Sequence, residues 1–195
     1  MMVAALPQTK RYTVDDLAHF PDDGKLRELA GGRIVEWDVT NLLHAFFITT
    51  LAGILRGFVL EHRLGLVVSA DPLVRVLDSQ HDARGPDVAF YARGRIPTDL
   101  TTASTATAPD LVIEVLSPSD PASEVQQKVH DWLRAGVRLL WYVDPVIGLT
   151  AVHHAGAVAY VPKEDPLDGA DVVPGFSIRL QDVFDELAAV QGAAE

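Results

Sequence analysis

The sequence predicts an α/β fold: a mixed β-sheet flanked by helices, with an N-terminal hairpin and one long apolar helix. Three observations predict it. Short apolar runs of strand character alternate with segments of helical period along the chain. Two strand pairs are joined by hairpin turns, which adds antiparallel neighbours to crossover-connected ones and makes the sheet mixed. Residues 41–62 are apolar nearly all round, as in a helix covered by a sheet, a partner subunit or both. At 195 residues the chain is read as one domain, 1–195, whose first 20 residues form a short helical appendage.

In chain order, Thr13 caps the segment TVDDLAHF, with Asp15 and Asp16 at the end of the helix dipole that favours acids. KLRELAGGRIVEW then reads as two strands around Gly31-Gly32, a dipeptide free to take positive φ at both turn positions. After the long helix, LGLVVSA, PLVRVLD and PDVAFYA read as strands. Residues 92–109 lack apolar periodicity and are read as a mobile surface loop, in which Arg93 and Arg95 are solvated or meet a phosphate. DLVIEVL is a buried strand, PASEVQQKVHDWLRAG a helix begun at Ser119 or Asp120 and ended by Gly136, and RLLWYVD another strand. LTAVHHA and AVAYVP form a hairpin, and PGFSIRL with DVFDEL closes the fold.

Composition narrows the function. There is no cysteine, which excludes disulfides, thiolate metal sites and thiol catalysis, and nothing requires an oxidising compartment. Pro7 interrupts the start too early for a secretory signal, and His44, Thr49, Thr50 and Arg56 break the apolar run, so a cytoplasmic protein without a membrane span is expected. The net charge of −11 repels polyanions at long range, whereas excess carboxylate suits a magnesium site.

The acids of the apolar run PDLVIEVLSPSD are the chemical signal. Asp110 and Glu114 share a strand face but stand about 13 Å apart along it. One ion with ligand bonds of about 2.1 Å cannot hold both. Glu114, between Ile113 and Val115, is a central ionised group that needs a cation or hydrogen bonds. Asp87, which opens its own strand in RGPDVAF, is its best partner, and Asp110 is a strand-end residue.

The following helix offers a cation. Its predicted buried stripe is Ala122, Val125, Val129, Trp132 and Leu133, with Lys128 at the edge. Glu114 lies about 10 Å back along its strand from Ser117. The returning helix covers about 12 Å between Asp120 and Lys128, so the two side chains fall at one level. His153 and His154 point to opposite strand faces and cannot chelate one ion.

With these residues in place, the chain resembles the Uma-type family of restriction endonucleases, a branch of the PD-(D/E)XK nuclease superfamily. The resemblance rests on ELAGGRIVE, His44, RGPDVAF, PDLVIEVLSPSD, Lys128 with AGVRLLWYVDP, and VPGFSIRL before DVF. It implies a restriction-endonuclease-like core, a divalent metal, Mg²⁺ or Mn²⁺, held by Asp87 and Glu114, and Lys128 as the basic residue. Glu28 matches a recurrent family acid and is an accessory candidate. His44 also recurs and is read as a capping or packing residue. The superfamily lysine is expected two positions after the glutamate, where this chain has Leu116, so the ammonium must come from the helix.

The resemblance makes DNA the expected substrate and metal-dependent phosphodiester hydrolysis the expected reaction. The apolar helix makes a homodimer the expected assembly. Two rival functions fit the same residues: a non-catalytic protein that assembles through the long helix, and a phosphoesterase acting on small substrates.

Overall fold

The computed structural model describes residues 10–21, 23–37 and 41–192; residues 1–9 of the expected N-terminal appendage lie outside the described residues. The first turn of helix α1 (Val14–Leu17) is fixed by a capping box in which Thr13 and Asp16 satisfy each other's backbone amides. Strands β1 (Leu26–Ala30) and β2 (Arg33–Trp37) pair antiparallel around Gly31 and Gly32, both at positive φ. Asn41 caps helix α2 (Leu42–Glu61) by accepting the His44 amide.

The main sheet has six strands in the order β11-β10-β9-β8-β6-β3. These are β3 (Gly65–Ser69), β6 (Val88–Ala92), β8 (Leu111–Val115), β9 (Leu139–Asp144), β10 (Leu149–His154) and β11 (Ala157–Pro162). Only β8 and β9 run parallel, joined across helix α3 (Ala122–Ala135); the other neighbours are antiparallel. Every residue of β8 is buried, because the strand is covered on both faces. Leu111, Ile113 and Val115 meet the α2 layer, where Phe47, Leu51, Leu55 and Val59 are buried. Val112 faces α3 instead, with Leu140, Tyr142 and Trp132. Glu114, two residues on from Val112, shares that second face.

A second sheet was not expected. The N-terminal hairpin joins a five-stranded sheet, β2-β1-β5-β4-β7, with β4 (Leu73–Arg75), β5 (Ala83–Arg84) and β7 (Ser104–Thr105). The segment PLVRVLD is therefore half strand and half 3₁₀ turn, Val76–Asp78, and the loop 92–109 is anchored by β7 pairing with β4. Arg95 closes that loop by donating to the Ala108 carbonyl at 3.0 Å. The chain ends with β12 (Pro166–Asp168) paired to β13 (Ser177–Arg179), and helix α4 (Leu180–Gly192).

Helix α3 also departs from the expected stripe. Its buried residues are Lys128, Asp131 and Trp132, while Leu133 is 45% exposed. The second sheet lies along the Lys128 side of the helix and rotates the covered face toward it, through Arg33 to Glu124, Glu28 to Lys128 and Arg84 to Asp131. Pro121 starts the helix without a side-chain cap, because Asp120 turns back to accept the Ser117 amide at 2.8 Å. Gly136 ends it in the left-handed conformation, as expected.

By length and composition α2 could cross a membrane. Its inner face nevertheless packs on the main sheet, leaving Leu42, Ile54 and Leu60 exposed on the outside.

Candidate active site

Strand register brings the acids together. Val88 is opposite Ile113, so the antiparallel register continued by one residue sets Asp87 opposite Glu114. Asp87 is fixed by the Val115 amide, which donates to its Oδ2 at 2.6 Å. Asp110 lies at the other end of β8, fully buried, where Oδ2 accepts the Ala92 amide at 2.8 Å. Asp110 thus ties neighbouring strands and is remote from Glu114.

Helix α3 grips Glu114 from above. Lys128 Nζ donates to Oε2 at 2.8 Å and Trp132 Nε1 donates to Oε1 at 2.7 Å. The two donors are one helical turn apart, which is why they reach the two oxygens of one carboxylate. Lys128 also lies 3.1 Å from Glu28 Oε1. Glu28 is wholly buried, accepting from the Gly85 amide at 2.8 Å and from Arg84 at 3.1 Å. Arg84 in turn donates twice to Asp131 Oδ2, at 2.9 and 2.6 Å. Glu28 thus sits behind Lys128 with both oxygens in use.

The electrostatics follow from burial. Glu28, Asp87, Glu114 and Asp131 are buried with Lys128 and Arg84 as the buried cations beside them. Burial pushes the Glu114 carboxyl well above the ordinary range; Lys128 opposes this, and Asp87 and Glu28 add to it. Burial also raises Glu28, but Lys128 and Arg84 bring it below its usual value. Although burial disfavours the Lys128 ammonium, Glu114 and Glu28 hold its pKa above that of a free lysine, so it stays charged.

Asp87, Glu114 and Lys128 line a cavity of about 250 Å³. Asp71, a residue without a sequence signal, lines it too. It occupies a turn after β3 at positive φ, and the absent side chain of Gly85 allows its close approach: a Cβ there would lie 2.9 Å from Asp71 Cβ. Burial first, and Asp87 second, push its carboxyl up to about 6. His44 reaches the same cavity from the first turn of α2, with Nε2 3.6 Å from Asp87 Oδ2. Burial lowers its pKa, but Asp87 outweighs that and leaves it raised. Asn41, and not His44, is the cap. Arg84 and Asp131 carried no sequence signal either, and Trp132 read only as a packing residue, since their partners are remote in sequence. His154 contacts Asp171 at 2.8 Å, far along the chain from these acids, and has no part in this cluster.

The donors fit a hard divalent cation. Asp87 and Glu114 offer carboxylate oxygens at adjacent strand ends, surplus negative charge surrounds them, and Mg²⁺ needs only one or two carboxylates besides its waters. Among the described residues no group of three His, Asp or Glu forms a ready-made cage. The unpartnered Tyr142 hydroxyl at this cavity is a further polar group, kept protonated by burial and by Glu114.

A mixed sheet with helices on both faces and acids at adjacent central strand ends defines an α/β protein of the restriction-endonuclease-like fold. Residues 14–181 match the Uma2 family, described as "Putative restriction endonuclease", and the chain belongs to that family. A crystal structure from Anabaena variabilis ATCC 29413, described as "a putative nuclease belonging to DUF820", shares the fold. The TM-score is 0.77 at 17% identity, covering 89% of this chain and 97% of that one. No curated protein matches in sequence.

Proposed function

We propose that this chain is a metal-dependent DNA endonuclease of the PD-(D/E)XK type whose basic residue has moved to the helix after the glutamate. The observation that carries this reading is the 2.8 Å contact between Lys128 Nζ and Glu114 Oε2, which offers the ammonium that Leu116 cannot. Asp87 and Glu114 would hold Mg²⁺ or Mn²⁺. When bound, the cation supplies positive charge that acidifies water and withdraws charge from the scissile phosphate. Lys128 orients the attacking water and offsets the negative charge that builds on the phosphoryl oxygens. Glu28 and Arg84 fix Lys128 and the helix that carries it, so Glu28 is an anchor for the ammonium in this reading. His44 stands beside Asp87, with Nε2 3.6 Å from its Oδ2.

Supercoiled plasmid incubated with the pure protein and Mg²⁺ or Mn²⁺ should be nicked. Chelator and Glu114→Gln should each stop the reaction. Nicking that survives either one sinks the proposal. We further propose a homodimer, because the outer face of α2 exposes Leu42, Ile54 and Leu60.

A further inference from the structure

The cavity is recessed, and the hairpin forming one wall offers its positive charge elsewhere. Asp87, Glu114 and Lys128 are all less than a tenth exposed, like core residues. On the hairpin, Lys25 pairs with Glu36 at 2.8 Å, Arg27 with Glu36 at 2.9 Å and Asp23 at 2.5 Å, and Arg33 with Glu124 at 2.9 Å. Asp71 and Asp120 add negative charge to the cavity lining. An intact duplex is held by a row of free Lys and Arg neutralising successive phosphates, and this wall provides no such row.

The same wall is apolar and aromatic. Leu26 and Trp37 are direct cross-strand partners on the hairpin, and both line the cavity with Leu116 and Val125. Unpaired strands are bound on aromatic platforms of this kind, because every base has a π-face. Building on the phosphodiester reading above, we infer that the substrate strand is unpaired where it enters. One nucleotide lies with its sugar and base against Leu26 and Trp37 while its phosphate meets Asp87, Glu114 and Lys128.

The test compares a fluorescein-labelled single-stranded oligothymidylate with the same strand annealed to its complement, using Ca²⁺ as the cation and anisotropy as the readout. The single strand should bind about tenfold more tightly, the scale of one stacked base. Trp132 and Trp141 are wholly buried, so quenching of intrinsic fluorescence by the unlabelled strand reports Trp37. Trp37→Phe should lose the quenching but keep most of the affinity, whereas Trp37→Ala should lose about tenfold. Should Trp37→Ala fail to fold, quenching in the wild type and its loss in Trp37→Phe decide alone. Equal or tighter binding of the duplex, no binding of either, or no quenching overturns the inference. Hydrolysis of bis(p-nitrophenyl) phosphate in Mn²⁺ tests the underlying reading separately: its absence beside an intact strand preference removes hydrolysis and leaves the preference.

Discussion

Lys128 is a buried cation between two buried carboxylates, and this makes its removal a structural as well as a chemical change. Lys128→Ala leaves Glu114 without a cation and Glu28 with Arg84 alone, which costs about 3–5 kcal/mol for a buried pair broken on one side. We expect a lower Tm without metal, a larger rise in Tm on adding Mn²⁺, and nuclease activity reduced about 10²-fold. Lys128→Arg should not restore full activity, because a planar guanidinium does not place its charge where the ammonium sits. Unchanged activity in Lys128→Ala would remove the moved-lysine mechanism. Asp71 gives a test by pH. Its folded-state pKa of about 6 lies above the ordinary 3.8, so the folded protein binds the extra proton between those values and loses stability as pH rises through about 6. In chelator, Asp71→Asn should therefore raise Tm at pH 7, and the gain should shrink toward pH 4. A gain that is flat with pH would show that Asp71 is not the titrating group.

Among the elements, helix α3 sets the site by presenting Lys128, Asp131 and Trp132 on one face. Trp132→Phe keeps an aromatic ring but loses the bond to Glu114 Oε1, so the Glu114 carboxyl should rise further. The pH at which Mn²⁺ binding is half maximal should then move upward, as calorimetry across pH can measure; an unchanged midpoint would mean that the indole bond does not stabilise the carboxylate. Strand rise and helix rise were enough to place Lys128 level with Glu114, and the Gly-Gly turn and apolar runs marked most strands. The second sheet was not legible, because β5 and β7 are two residues each and carry no periodicity. Without that sheet the helical period alone buries Leu133 and leaves Lys128 at an edge. The ion pairs that reverse this, Arg84 with Asp131 and Glu28 with Lys128, join residues far apart in the chain and leave no local pattern. Asp71 was missed for a related reason: a lone acid in a turn reads as a turn former until Gly85 is seen beneath it.

At the scale of the molecule, a net charge of −11 and a half-open apolar helix act together. The charge opposes loose association with polyanions, and the exposed side of α2 is the face on which we propose that a second copy docks. Sedimentation at micromolar concentration should give a dimer, and Ile54→Glu on the outer face should yield monomer with its fold intact; a wild-type monomer would count against that assembly. The whole reading depends on Asp87 and Glu114 meeting on one cation while Asp110, on the same strand, does not. The most direct measurement is the Mn²⁺-dependent rise in Tm of the wild type, Asp87→Asn, Glu114→Gln and Asp110→Asn. We expect the rise to vanish in Asp87→Asn and Glu114→Gln and to persist in Asp110→Asn, even though that variant starts from a lower Tm. A rise that persists in Glu114→Gln, or one lost only in Asp110→Asn, would contradict the pairing of strands on which the site is built.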